Sequence, residues 1–429
     1  CTMTLPHPPS DFSTQSDENS LLKQQIEALK QENFQLKQAQ HNYSNILSSE
    51  DISRFSRHLI LPDISAHGQA KLLSSSVLIV GCGGLGAPLC EYLTAMGVGT
   101  IGIMDFDTVD QSNLHRQVIH DESTDGMPKV FSAMARMKKL RRKVNVRVHQ
   151  QAFDENVLPI VKEYNVIVDA SDNVRTRYLV NDAAVLAGKP LVSGSAVRVE
   201  GQLTVYNYKG GPCYRCLFPS PPPPQTVTNC SDGGVLGVVP GIIGSLQALE
   251  VVKILLEGPF TNGILSQKML IFNSKLSTMF RTVKLRGRQT ACAVCGDNPT
   301  ISKLVGYDNV SCATNLPPIS GENRVSCESY ASLLEEGNNH LLLDVRNDTQ
   351  FKIASLPNSV NIPFACLGEN LDDVRQKAGD LPIYVVCRRG NDSVRATALL
   401  VKEGFSKVFN IDGGVNAWNQ RVDSNFPLY

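Results

Sequence analysis

Two Cys-x-x-Cys pairs, Cys213/Cys216 and Cys292/Cys295, have the spacing of paired zinc knuckles. Four thiolates complete a tetrahedron and leave no open ligand position, so a single Zn2+ held there is structural. A metal stapling distant segments in this way contributes roughly 10 kcal/mol or more of apparent binding energy. Ahead of these cysteines, Gly81-Cys82-Gly83-Gly84-Leu85-Gly86 follows an apolar run and opens a helical pattern, as a phosphate-binding turn does. Asp105 ends the next apolar run, where a ribose hydroxyl would be held. Those two signals alone suit an NAD-dependent oxidoreductase equally well. The cations that follow favour ATP with Mg2+. Arg116, within Ser112-Asn113-Leu114-His115-Arg116-Gln117, and Lys129 suit the charge that builds on an α-phosphate and a departing pyrophosphate. Asp172, within Asp169-Ala170-Ser171-Asp172-Asn173, is an acid just past a strand end, suited to Mg2+.

A second chemistry lies further on. Cys387 ends an apolar run and opens the loop Cys387-Arg388-Arg389-Gly390-Asn391-Asp392-Ser393, after which a helix is expected. Inward backbone N–H groups, the helix dipole, Arg388 and Arg389 are expected to lower this thiol's pKa and to stabilise an anionic persulfide. A cysteine phosphatase would need Arg at the sixth position after Cys, and Ser393 stands there. Cys230 sits between Pro219–Pro224 and Gly233-Gly234, in an exposed loop by composition. A lone loop cysteine is by itself unremarkable.

These groups need strands and helices to place them. Val77–Val80, Ile101–Asp105, Val166–Asp169 and Leu191–Ser193 read as strands alternating with helices, which implies a doubly wound, mostly parallel sheet. Gln202–Tyr206 and Met269–Phe272 read as later strands, and Leu246–Leu256 as an apolar helix. Residues 301–324 are polar and proline-containing, a linker between an α/β domain at 46–300 and a second at 325–429. In the second, Leu341–Val345 and Ile383–Val386 read as strands. Residues 1–45 combine a disordered start with a short helix in which Leu22, Ile26, Leu29, Asn33 and Leu36 make a coiled-coil-like seam, marginal for self-pairing.

Composition narrows the class. Lys+Arg and Asp+Glu are 41 each in 429 residues, which argues against a globally basic nucleic-acid binder. No run of about 18 apolar residues is evident, so no membrane span is expected. The first twenty residues lack the pattern of a secretory signal, so twelve cysteines read as metal-binding or catalytic thiols in the cytosol.

Arg54-Phe55-Ser56-Arg57, the glycine loop, Ser112–Gln117, Lys129, Asp172-Asn173 and the zinc cysteines together resemble the ubiquitin-activating-enzyme superfamily. Within it they are most similar to the adenylyltransferases that activate sulfur-carrier proteins. The resemblance implies a Rossmann-like adenylation domain in which Gly84, Asp105, Asn113, Lys129 and Asp172 bind Mg-ATP, with Ser112, Leu114, His115 and Asn173 beside them. It further implies that Arg57, often from a partner subunit of a homodimer, and Arg116 act on the phosphates, and that Cys230 attacks an activated carboxyl group or its sulfur adduct. Leu343-Asp344-Val345-Arg346, Asn361-Ile362-Pro363 and Gly413-Gly414-Val415-Asn416-Ala417-Trp418 resemble a rhodanese domain, with Ala354-Ser355-Leu356 departing from the usual Gly-His-Ile. A fusion of the two resembles eukaryotic molybdenum-cofactor synthesis enzymes. The implied partners are ubiquitin-like carriers, namely the small molybdopterin-synthase subunit and the tRNA-thiolation carrier, with a cysteine desulfurase as sulfur donor. The alternatives are a conjugation enzyme holding a thioester at Cys230, and a scaffold with a vestigial nucleotide fold.

Overall fold

A computed structural model describes residues 22–23, 25–31, 47–222, 233–306 and 316–429, and the chain divides into two compact units at Val310/Ser311. In the first unit, strands β1 (Ser76–Val80), β2 (Thr100–Met104), β3 (Asn145–His149), β4 (Val166–Asp169), β5 (Leu191–Val197), β6 (Glu200–Tyr206), β7 (Lys268–Asn273) and β8 (Phe280–Lys284) form one sheet. Its order is β3-β2-β1-β4-β5-β6-β7-β8. The first five are mutually parallel, and β6, β7 and β8 each join antiparallel. The expected doubly wound half is therefore extended by a three-strand meander.

The central strands read as continuous apolar runs because both of their faces are covered. All four residues of β4 are buried, as are the last four of β1. Helices α1 (Gly86–Met96), α2 (Lys129–Leu140), α3 (Val174–Leu186) and α4 (Val238–Leu256) supply that cover. Helix α4 begins well before the expected Leu246. At 19 residues it is long and apolar enough to cross a membrane by length and composition, which corrects the expectation that no such run exists. In the fold it packs against α1, β5 and β6, and 61% of its most apolar window is buried. Leu22, Ile26 and Leu29 lie on a helix and are about half exposed, while Asn33 and Leu36 fall outside the described residues.

The second unit holds a five-stranded parallel sheet, β11-β10-β12-β13-β9. Its strands are β9 (Arg324–Val325), β10 (Leu341–Asp344), β11 (Ser359–Asn361), β12 (Ile383–Val386) and β13 (Val408–Ile411). Helices α5 (Asn391–Lys402) and α6 (Gly414–Arg421) follow β12 and β13. The Ala354 carbonyl accepts a 2.8 Å hydrogen bond from Arg346, so the departure at Ala354-Ser355-Leu356 keeps a backbone contact that no side chain there need supply.

Candidate functional site

Strand β1 has β2 on one side and β4 on the other, and at this crossover the chain leaves the sheet in opposite directions. Such a point opens a crevice beyond the carboxyl ends of the strands. A cavity of about 620 Å3 lies there, lined by Gly81, Gly83, Gly84, Asp105, Arg116, Lys129, Asp172 and Asn173 among others. The glycine loop is pinned from below. Asp105 accepts from the Cys82 N–H at 2.7 Å and from the Asp107 N–H at 2.9 Å. Burial raises the Asp105 pKa, and those two N–H groups and Lys129 oppose the rise. Buried His120 bridges the Cys82 carbonyl (3.1 Å) and the Ser132 hydroxyl (2.8 Å).

Ser112, Asn113, Leu114 and His115 do not line the cavity, although they stand next to Arg116, which does. Three of them, Ser112, Asn113 and His115, hold its side chain. The guanidinium donates to Asn113 Oδ1 at 2.6 Å and to the Ser112 carbonyl at 3.2 Å, with His115 Nε2 2.9 Å away. Lys129 is nearly buried and paired with Asp107 at 2.8 Å, an acid that sequence reasoning passed over. Asn173 caps α3 by accepting from the Thr176 N–H. Asp169 is fully buried and carries Arg177 (3.1 Å), Ser171 (2.6 Å) and Ser193 (3.0 Å) on its carboxylate. Of the cavity's acids, Asp105 takes two N–H groups, Asp107 takes Lys129 and Glu200 takes Asn273. Asp172 is exposed in the cavity and has no side-chain hydrogen bond or ion pair recorded among the described residues, as a carboxylate held for a cation should be.

The four knuckle cysteines converge, with all their sulfurs within 4.8 Å of one another. Cys213 lies 3.9 Å from Cys216 and 3.6 Å from Cys292, and Cys216 lies 3.4 Å from Cys295. A tetrahedron with Zn–S bonds of about 2.3 Å has edges of about 3.8 Å, so the donor set fits the ion. Burial, then the neighbouring sulfurs, push the Cys213 thiol far up, a cost that a bound cation would reverse. Behind the first knuckle, buried Arg215 makes a two-pronged pair with Asp182 on α3, at 2.7 and 2.8 Å. The zinc knuckle and the helix that starts at the cavity are thereby fastened together.

In the second unit Cys387 immediately follows β12 and is 3% exposed. Its sulfur accepts from the Gly390 N–H at 3.1 Å and lies 3.3 Å from the Ser393 hydroxyl. Gly414 makes the cradle possible. It has φ of 62°, and an added Cβ would stand 2.2 Å from the Cys387 carbonyl, which accepts from the Val415 N–H at 2.9 Å. The expected lowering of the thiol pKa is corrected here. Burial is the largest influence and raises it, against the Ser393 hydroxyl and the Ser393 and Arg389 N–H groups. The Arg388 guanidinium sits 4.9 Å from the centre of the Tyr429 ring.

Residues 55–294 match the ThiF family and residues 326–421 the rhodanese-like domain. The chain is 46% identical to the adenylyltransferase and sulfurtransferase MOCS3 of Culex quinquefasciatus, across 97% of this chain and 98% of that protein. Against the MOCS3 of Sus scrofa the identity is 48%, over 89% of each. The chain belongs to this family of fused adenylyltransferases and sulfurtransferases. It is therefore an enzyme, with both transferase activities on one polypeptide. The fold is shared with E. coli MccB solved with AMPCPP and MccA, at a TM-score of 0.50 and 21% identity over 61% of this chain and 80% of that one. One expected residue of this family's phosphate chemistry stands away from the cavity wall, and another cannot be placed against it. Arg57 is exposed on the short helix Ser56–Leu59 and is not a lining residue. Cys230 lies outside the described residues. Conversely, Arg177 and Arg198 line the cavity, and sequence reasoning singled out neither.

Proposed function

We propose that this enzyme converts the C-terminal glycine carboxylate of ubiquitin-like sulfur carriers into a thiocarboxylate. The supporting observation is the pairing, in one chain, of a cation- and acid-lined cavity with a buried strand-end cysteine cradled by N–H groups. ATP occupies the cavity with its phosphates on the glycine loop, and Asp172 holds the Mg2+ that offsets their charge. The carrier carboxylate attacks the α-phosphorus and pyrophosphate leaves. Arg116 and Lys129 stabilise the developing charge, joined by Arg57 of a second copy in a homodimer. AMP makes the carbonyl electrophilic because, unlike oxide, it is a good leaving group. The Cys387 persulfide, loaded by a cysteine desulfurase, attacks that carbonyl and expels AMP. Cys230 then attacks the Cys387 sulfur of the resulting acyl disulfide, releasing the thiocarboxylate, and a thiol reductant reopens the Cys230–Cys387 bond.

The carriers assigned are the small molybdopterin-synthase subunit and the carrier used for tRNA wobble-uridine thiolation. The enzyme is assigned to the cytosol, where ATP and reduced thiols coexist, with no direct nucleic-acid or membrane partner. The test is the mass of each carrier after incubation with ATP and a sulfur source. Replacement of one oxygen by sulfur is expected. Asp172→Ala should abolish carrier-dependent ATP–pyrophosphate exchange, and Cys387→Ala should stop the mass change while sparing exchange. A stable thioester on Cys230, with no thiocarboxylate, would overturn the assignment in favour of a conjugating enzyme.

A further inference from the structure

Four cations line the adenylation cavity, and three have their side chains engaged. Arg116 is held by Asn113, Lys129 by Asp107 and Arg177 by Asp169. The fourth, Arg198, has no side-chain hydrogen bond or ion pair among the described residues. Its backbone is unusual as well. Arg198 turns the β5–β6 hairpin at φ of 53°, a left-handed conformation that costs a side-chain-bearing residue about 1 kcal/mol or more. Glycine would take that position without strain.

The hairpin tip is nevertheless fixed. The Arg198 N–H donates to the Gly234 carbonyl at 2.9 Å, and its carbonyl accepts from the Leu236 N–H at 2.8 Å. These bonds make an isolated parallel bridge to Val235, which also lines the cavity. A strained residue whose main chain is clamped and whose cation is uncommitted is better explained by what the cation meets than by the turn.

Its place in the sheet identifies that ligand. Strand β5 lies two strands from β1, about 10 Å across the sheet from the glycine loop. It also runs four residues past Ser193, the register partner of the last β4 residue, Asp169. Arg198 thus stands at the mouth of the cavity, away from the loop that receives phosphates. We propose that Arg198 receives the C-terminal carboxylate of the incoming carrier polypeptide and presents it to the nucleotide. This rests on the carrier-adenylation reading above. A guanidinium matches a carboxylate with two parallel N–H donors, which orients the attacking oxygen as well as neutralising it.

Glycine at this position separates the binding role from a structural one. Arg198→Gly removes the cation and the strain together while keeping both backbone bonds. Its melting temperature should equal or exceed that of the natural protein. Its KM for the carrier in ATP–pyrophosphate exchange should rise about tenfold, the loss of one charge-assisted pair, with KM for ATP within twofold. Arg198→Lys should recover part of the carrier affinity. An unchanged carrier KM, or a rise confined to the KM for ATP, would refute the assignment. Exchange by the natural protein with the same carrier keeps the two ideas apart: its absence sinks the adenylation reading, whereas its presence with an unaffected Arg198→Gly sinks only the role of Arg198.

Discussion

Two glycines on one helix should respond to the same substitution with opposite signs. Gly241 and Gly244 both lie in α4, where alanine is ordinarily favoured by about 1 kcal/mol. A Cβ at Gly241 meets nothing within 4 Å, so Gly241→Ala should stabilise the first unit by up to about 1 kcal/mol. A Cβ at Gly244 would stand 2.3 Å from the Leu85 carbonyl oxygen and 2.6 Å from Pro88 Cγ. Relieving that contact needs a shift of about 1 Å, and overpacking of this kind costs about 1–3 kcal/mol. Net of the propensity gain, Gly244→Ala should lose up to about 2 kcal/mol. The nearer of these atoms, the Leu85 carbonyl oxygen, belongs to the glycine loop, and a misplacement of about 1 Å at a reacting centre can cost on the order of a hundredfold in rate. Carrier-dependent exchange should therefore lose at least about tenfold in kcat/KM for ATP in Gly244→Ala and stay near the natural value in Gly241→Ala. Denaturant titration and exchange kinetics on the full chain read both quantities. If the two alanines shift stability in the same direction, the close approach of α4 to the loop is not what glycine is there for.

Two further outcomes follow from the sulfur atoms. Stripping zinc, or Cys292→Ser, removes roughly 10 kcal/mol of metal-linked stability, comparable with the whole stability of a domain, so exchange should disappear while sulfur loading of Cys387 persists. Retention of exchange in metal-free protein, checked by metal analysis, would contradict this. Because burial raises the Cys387 pKa, its thiol is protonated near neutrality, and the rate of sulfur uptake from a small donor should climb about tenfold per pH unit between about pH 7 and 8.5. By the same sign, the native state holds this proton longer than the unfolded chain, so its contribution to stability declines as pH rises past the ordinary thiol value. A rate plateau below about pH 8, measured by mass spectrometry of the persulfide, would show a lowered pKa instead.

What the sequence disclosed depended on how local the signal was. The buried strands β1, β4 and β12 stood out as unbroken apolar runs, and the four zinc cysteines as two close pairs. The edge strands β3, Asn-Val-Arg-Val-His, and β8, Phe-Arg-Thr-Val-Lys, were missed because each interleaves charges and neither has a buried residue. The start of α4 was hidden by Pro240, Gly241 and Gly244, residues that signal a break yet here allow a helix to approach the loop. Asp105, Arg116, Lys129 and Asp172 could be chosen from their order along the chain. Asp107, which holds Lys129, could not, because nothing in one sequence says which of several acids will face a given lysine. The thiol pKa failed for a related reason: basic neighbours were visible at Arg388 and Arg389, whereas the burial that outweighs them belongs to the folded domain.

Both units solve the same mechanical problem. A reactive group beyond a strand end needs a turn that does not move, yet it cannot itself be the anchor. In the first unit the anchor is Asp169, the last residue of β4, buried and tied to Arg177, Ser171 and Ser193. The exposed Asp172 follows three residues later and stays available. In the second it is Asp344, the last residue of β10, buried and grasped by Arg346, whose guanidinium also reaches the Ala354 carbonyl at 2.8 Å. Cys387 immediately follows the adjacent strand β12, and the Val345 N–H donates to the Val386 carbonyl at 2.9 Å beside it. Buried ion pairs add little net stability over well-packed apolar groups, but losing one partner strands the other at a cost of about 3–5 kcal/mol. That asymmetry suits an anchor, because it penalises any rearrangement that separates the pair. The acids that look most catalytic by burial are thus the frame, and the chemistry proposed for this enzyme is assigned to the neighbours they hold still.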